Sequence, residues 1–335
     1  MKPHNPLRAV FTGIPDRLVA AYPPAVRAII SENVEILGSD IPGDKWQDHI
    51  SDLRQADVIM STWGMPVLTP DFLAAAPHLK AVFYAAGSVK CFATDEAHEK
   101  GVLIFSARMA NAIPVAEYAS AAIVLSLKQF WAYSRTAREN RSMKRTIPAP
   151  GTYHATIGLV SLGATGLQTA ARLSHLDCNL IAFDPFIQPE SVKNLDVKLV
   201  SLEEVFHQSD VVSLHVPLLS ETCGLIDRRL LGMMKPRATL INTSRGAVIV
   251  ERDLCEVLQQ RPDLTAVLDV TDPEPPEVDS PLFRLPNVVM TPHISGSIGG
   301  EIEMLGQWMA DELVQFVLDR PLTHKVSHKQ LQMIA

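Results

Sequence analysis

The stretch TIGLVSLGATGLQTAARL, residues 156–173, runs an apolar strand into a helix through a turn that holds Gly163 and Gly166. These are the second and third glycines of a G-x-G-x-x-G turn, and Ser161 stands in the first place. Such a turn binds a dinucleotide: amides at the helix N-terminus, here around Gly163, Ala164 and Thr165, point at the pyrophosphate, and the helix dipole favours its charge. Gly163 lets the backbone approach the phosphates, and Gly166 lets helix and strand pack closely. Ser161 takes the tight-turn position, which a small residue with acceptable backbone angles can fill. A second apolar strand ends at Asp184, eighteen residues beyond Gly166, a spacing that suits a carboxylate bonding the adenosine ribose hydroxyls. The competing reading is a plain strand–helix corner with Asp184 as a loop cap, and the turn alone does not decide between them.

The elements that must position this turn alternate along the chain. RAVFTG (8–13), ADVIMSTW (56–63) and LKAVFYAAG (79–87) read as buried strands before it. After it come NLIAFDP (179–185), SDVVSLHVP (209–217), ATLINTSRG (238–246), LTAVLDV (264–270) and NVVMTPH (287–293). Helix-period segments lie between, among them DRLVAAYPPAVRAIISE and TPDFLAAAP, the latter with Thr69 as its N-cap. A long apolar helix begins near residue 112. Strands alternating with helices predict α/β layers built on parallel sheets.

At 335 residues the chain is long enough for two domains, and its 47% hydrophobic and 20% charged content suits a globular protein. A net charge of −7 argues against nucleic acid as a partner, which needs a basic surface. The basic run 134–145 places Arg135, Arg138 and Arg141 three apart, the pattern of a solvated helix face. Cys91, Cys178, Cys223 and Cys255 lie far apart with no metal-ligand spacing, so no metal is expected, and scattered thiols suggest a reducing compartment. No signal peptide opens the chain and no run approaches the length of a membrane span, so the expected location is cytoplasmic, with no membrane partner.

Three further segments, LINTSRGAVIVERDLCEVL (240–258), LDVTDPEPP (268–276) and VVMTPHISG (288–296), follow in order, each at the end of an expected strand. With VAEYASAAIVLSL and HVPLLSETCGLID (215–227), they resemble the D-isomer-specific 2-hydroxyacid dehydrogenase family over nearly the whole chain. The resemblance implies two Rossmann-like α/β domains, one flavodoxin-like and one NAD-binding, with a cleft between them. Residues 1–110 and 300–335 would form the substrate domain and 111–299 the NAD domain. It also implies a homodimer through the NAD domain, to which the apolar helix near 112–133 would contribute.

The family's catalytic arginine, glutamate and histidine fall on Arg245, Glu274 and His293. In reduction of a 2-keto acid, His293 would deliver a proton to the carbonyl oxygen while Glu274 holds its tautomer and favours the imidazolium. Arg245 would clamp the substrate carboxylate with a planar fork that lysine lacks. His215, Pro217 and Thr222 match a segment lining the family's cofactor cleft, His215 as a packing residue rather than a second acid. Asp269 matches a position near the nicotinamide carboxamide, Thr243 joins the cofactor set, and Asn111 and Glu117 match the family's N…VAE segment, with Asn111 capping or holding the interdomain helix.

The substrate loop departs from the pattern. Where the family commonly reads GVGxDN, this chain has AGSVKC, so Gly87 and Ser88 keep the loop small while Lys90 replaces an acid. Trp63 occupies a turn that shapes the substrate end of the cleft. These changes leave the reaction type in place but favour a longer, polar acid, such as a sugar acid or phosphorylated acid. Two alternatives stay open: phosphite or formate oxidation, the latter disfavoured because formate enzymes carry Gln at Glu274, and an NAD-sensing, corepressor-like binding protein.

Overall fold

A computed structural model describes residues 6–141 and 143–331. The first five residues of the stretch inspected for a signal peptide, Ser142 of the basic run, and residues 332–335 lie outside the described residues. The chain divides into two compact units: Met1–Asn111 with Ser297–Ala335, and Ala112–Gly296.

In the first unit the described strands are β1 (Arg8–Gly13), β2 (Glu35–Ile36), β3 (Ile41–Pro42), β4 (Val58–Ser61), β5 (Ala81–Tyr84) and β6 (Leu103–Ser106). They form one parallel sheet in the order β2-β1-β4-β5-β6, with β3 pairing the far end of β1, which is flavodoxin-like winding. β4 and β5 are buried at every position, as a parallel strand covered on both faces must be. The Gly300–Val317 helix lays Ile302, Leu305, Met309 and Leu313 against Phe83, Phe105 and Leu18 in one core. Gly306 is required there, because a Cβ would stand 1.6 Å from the Ala21 carbonyl oxygen.

In the second unit β7 (Thr156–Val160), β8 (Asn179–Phe183), β9 (Val197–Leu199), β10 (Val211–Leu214), β11 (Thr239–Asn242), β12 (Thr265–Leu268) and β13 (Val288–Met290) form a parallel sheet. Its order, β13-β12-β11-β10-β7-β8-β9, is the doubly wound Rossmann arrangement. The direction of winding reverses between β7 and β10, so the crevice at their carboxyl ends is where such a sheet binds ligands.

The expected helices need correction at three places. Pro23 and Pro24 divide the first into Pro15–Ala21 and Pro24–Ser31, because proline supplies no N–H to the ladder. The long apolar helix starts earlier than expected, at Arg108, and runs to Leu127; a second helix, Phe130–Glu139, follows after Gln129 turns left-handed at φ 55°. The arginine run is only partly a solvated face. Arg135 is half-buried and donates to the Pro286 carbonyl, and Arg141 lies beyond the helix end with φ 46°. Thr69 caps its helix as expected, accepting from the Phe72 amide at 3.3 Å. The Arg108–Leu127 helix is long and apolar enough to cross a membrane by composition, yet more than half of it is buried.

Candidate active site

Residues carrying the expected chemistry follow the carboxyl ends of β7, β8, β10, β11, β12 and β13, along one edge of the second unit's sheet. After β7, the chain turns through Ser161 and enters the Ala164–Leu173 helix, whose N-cap is Gly163. No side chain caps this helix, and a Cβ on Gly163 would meet nothing within 4 Å, so its first amides face open space. Gly166 is constrained: a Cβ there would stand 2.2 Å from the Ser161 carbonyl oxygen. The residues expected around a pyrophosphate, Gly163, Ala164 and Thr165, thus form a cradle that a larger residue at 163 would fill.

Ser161 holds φ 74°, the left-handed region that costs an L-residue about 1–2 kcal/mol. Its hydroxyl donates to Asp184 Oδ2 at 3.3 Å, while the Leu162 amide donates to the same oxygen at 2.7 Å. Asp184 Oδ1 accepts from the Phe186 and Ile187 amides at 2.8 and 3.0 Å. Four donors therefore face a carboxylate with about four acceptor sites. A ribose hydroxyl needs one of them to yield, and the Ser161 contact is the longest. Ser161→Gly is expected to stabilise the protein by about 1 kcal/mol, since it relieves the left-handed serine. It should change NADH affinity by less than about tenfold, or roughly 1.4 kcal/mol. Thermal unfolding and calorimetric titration check both; a larger loss of affinity would show that the hydroxyl itself serves the cofactor.

After β10, His215 is half-buried, with Nε2 3.2 Å from Ser213 Oγ and its Cβ beneath Gly166. Burial pushes its imidazole down to about 4, which keeps it neutral and fits a packing role. Thr222 ties its own loop: its hydroxyl donates to the Pro217 carbonyl at 2.5 Å and accepts from the Leu219 amide at 2.8 Å. Thr243, after β11, is 8% exposed, and its hydroxyl has no hydrogen-bond partner among the described residues. A buried orphan hydroxyl on the sheet edge that also carries the open cradle fits a polar cofactor.

Arg245 is half-buried, and burial lowers its guanidinium from the ordinary arginine value while the Glu274 charge partly offsets this. Asn242 frames it, donating to the Arg245 carbonyl at 3.0 Å and accepting from the Ser244 amide at 3.0 Å. Gly246 lets this turn lie on the next loop, because a Cβ would stand 2.0 Å from the Thr271 carbonyl. That loop carries Glu274, whose Oε1 is 2.5 Å from His293 Nδ1. Nε2 of His293 makes no hydrogen bond within the described residues, so it is the nitrogen left to face a ligand.

His293 itself has φ 53°, a strained conformation for histidine. Asp269, 1% exposed, supplies what holds it. Its Oδ1 accepts from Thr291 Oγ1 at 2.6 Å and the Ile294 amide at 2.8 Å, and its Oδ2 from the Ser295 amide at 2.8 Å. The His293 amide donates to the Asp269 carbonyl at 2.9 Å. The sequence reading assigned Asp269 to the cofactor and missed both this bracing role and Thr291, which also meets the Tyr118 hydroxyl at 3.0 Å. A polar residue at the end of each strand was the available signal; which of them would pair was not readable. Glu117 lies apart from these groups, paired with Arg172 at 3.1 Å.

In the first unit, Trp63 is half-buried in the core with Arg17 over its ring at 5.5 Å, and Lys90 is exposed. Ser106 Oγ donates to the Gly87 carbonyl at 2.6 Å, and the Lys90 amide donates to Ser88 Oγ at 3.4 Å. Asn111 accepts from the Ser297 amide and hydroxyl at 3.2 and 2.9 Å, so it anchors the returning chain rather than capping its helix.

Two wound parallel sheets, one with a glycine turn, an open helix N-terminus and an acid after its second strand, define a dinucleotide-binding α/β protein. Residues 120–295 match the description "D-isomer specific 2-hydroxyacid dehydrogenase, NAD binding domain". The chain is 30% identical over 257 residues to D-3-phosphoglycerate dehydrogenase of Archaeoglobus fulgidus, covering 77% of this chain and 49% of that protein. It is 31% identical over 291 residues to the Mycobacterium bovis enzyme of the same name, covering 87% and 54%. The chain thus spans about half the length of these curated relatives. A crystal structure of a glyoxylate reductase from Paecilomyes thermophila shares the fold, with a TM-score of 0.79 at 21% identity over 97% of this chain and 99% of that one. The chain belongs to the D-isomer-specific 2-hydroxyacid dehydrogenase family, and NAD is the cofactor of its second unit.

Proposed function

We propose that this protein is an NAD-dependent dehydrogenase that interconverts a 2-hydroxy acid and its 2-keto acid. The observation that carries the reading is the His293–Glu274 pair, 2.5 Å apart, on the same sheet edge as a desolvated Arg245. NAD, when bound, supplies the hydride acceptor for oxidation and, as NADH, the donor for reduction. Gly163, Ala164, Thr165, Asp184 and Thr243 hold it. Arg245 grips the substrate carboxylate through its planar fork and fixes where the reacting carbon lies. His293 gives a proton from Nε2 to the carbonyl oxygen in reduction and takes it back in oxidation, while Glu274 accepts from Nδ1 and supports the charged ring. The substrate loop, Gly87, Ser88 and Lys90, together with Trp63, contributes to the choice of acid.

The family resemblance extends this reading to a cytoplasmic homodimer paired through the NAD domain. Asp184, followed by Pro185 and Phe186 rather than arginine, repels a 2′-phosphate, so NADH is expected to outperform NADPH. A panel of 2-keto acids assayed by loss of NADH absorbance tests both statements. Turnover of at least one acid, with higher kcat/KM for NADH, is the expected result. Tight NADH binding with no turnover on any acid would overturn the dehydrogenase reading.

A further inference from the structure

His293 keeps a left-handed backbone, φ 53°, which a histidine holds only where its surroundings over-determine it. Part of that support lies beside it in the chain. The His293 amide donates to the Asp269 and Thr291 carbonyls at 2.9 and 3.0 Å. Pro292, between Thr291 and His293, has a φ locked by its ring. Where Thr291 stands therefore largely sets where His293 stands.

Thr291 is itself held from a distance. Its hydroxyl lies 2.6 Å from Asp269 Oδ1 and 3.0 Å from the hydroxyl of Tyr118, which sits on the Arg108–Leu127 helix 173 residues earlier. The one proton of Thr291 goes to Asp269, whose oxygens also accept from the Ile294 and Ser295 amides. Tyr118 must then be the donor to Thr291, so the relay runs from Tyr118 through Thr291 to Asp269. Burial raises the half-buried Tyr118 phenol above the ordinary tyrosine value, against a smaller lowering by the Thr291 bond, so it keeps the proton it donates. The Tyr118 ring packs on the core that holds Ile123, Leu159 and Val267. A phenylalanine could do that equally well; what the hydroxyl adds is the bond to Thr291.

We propose that Tyr118 is a positioning residue for His293: its hydroxyl pins Thr291, and through Thr291 and Asp269 it fixes the 291–295 loop and the direction of Nε2. The proposal rests on the dehydrogenase reading for what His293 does, while the relay itself lies wholly within the unit Ala112–Gly296.

The test compares wild type with Tyr118→Phe, Thr291→Val and the double variant, in keto-acid reduction and in calorimetric titration of NADH. Tyr118→Phe should lower kcat by about threefold to tenfold, the scale of one hydrogen bond, and leave NADH affinity unchanged. Thr291→Val should lower kcat at least as much. The double variant should be no slower than Thr291→Val, because both substitutions break the same relay. A wild-type kcat in Tyr118→Phe, whatever its Tm, makes Tyr118 a packing residue and overturns the proposal. Effects that multiply in the double variant also overturn it. A second readout needs no turnover. In heteronuclear NMR of histidine-labelled protein without cofactor, the His293 ring signal is the one that disappears in His293→Gln. Tyr118→Phe should move that signal, and a signal that stays in place overturns the proposal. If wild type reduces no keto acid but the His293 signal still moves in Tyr118→Phe, the dehydrogenase reading fails and the positioning of His293 by Tyr118 stands.

Discussion

His293→Ala should lower turnover in 2-keto acid reduction by about a hundredfold or more, the scale of general acid–base catalysis. The loss should fall on kcat, with NADH affinity changed little, because Nε2 of His293 serves the carbonyl oxygen and not the cofactor. Glu274→Gln separates the two halves of the pair. It keeps a hydrogen-bonding group near Nδ1, now 2.5 Å from the Glu274 carboxylate, but removes the charge that supports the imidazolium. Keto-acid reduction needs Nε2 aimed at the carbonyl oxygen, so the Gln variant should lose kcat while NADH affinity changes little. Steady-state rates and calorimetric titration of NADH check this, and an unchanged kcat would mean that Glu274 is not the partner of the acid.

The second large effect is expected at a residue that need not touch substrate. Asp269→Asn replaces one acceptor oxygen by a donor, facing the Ile294 or Ser295 amide that the carboxylate now holds at 2.8 Å. The 291–295 loop then loses a charged hydrogen bond, and His293 is released from its left-handed conformation. A stability loss of about 1–3 kcal/mol follows from the unsatisfied buried group. Displacing His293 by even about 1 Å is expected to cost on the order of a hundredfold in kcat. Calorimetric titration of NADH distinguishes bracing from cofactor contact: a kcat loss with near-normal NADH affinity supports the brace. A large loss of NADH affinity with kcat retained would return Asp269 to the cofactor.

Much of the site was legible because its residues are local signals. A glycine turn, an acid eighteen residues later, and short motifs at strand ends are all visible in the sequence, since each depends on near neighbours in the chain. The buried strands were legible for the same reason: apolar runs such as those of β7, β10 and β11 are covered on both faces. The short strands β2, β3 and β9 were not, because two or three residues give no periodicity. β6 was also missed, although LIFS is apolar, because its brevity leaves it indistinguishable from a loop until it pairs with β5.

By itself, then, the sequence determined the α/β class, the family, and the identities of Arg245, Glu274 and His293, because composition, order and spacing are properties of the chain. The tertiary structure decided the left-handed turns at Ser161 and His293, the four donors on Asp184, and the bracing of the histidine loop by Asp269. It also decided that Arg135 meets the Pro286 carbonyl. Each of these depends on which backbone and side-chain groups meet after folding, as when Asn111 meets Ser297 across 186 residues of chain, and no local pattern encodes such a meeting.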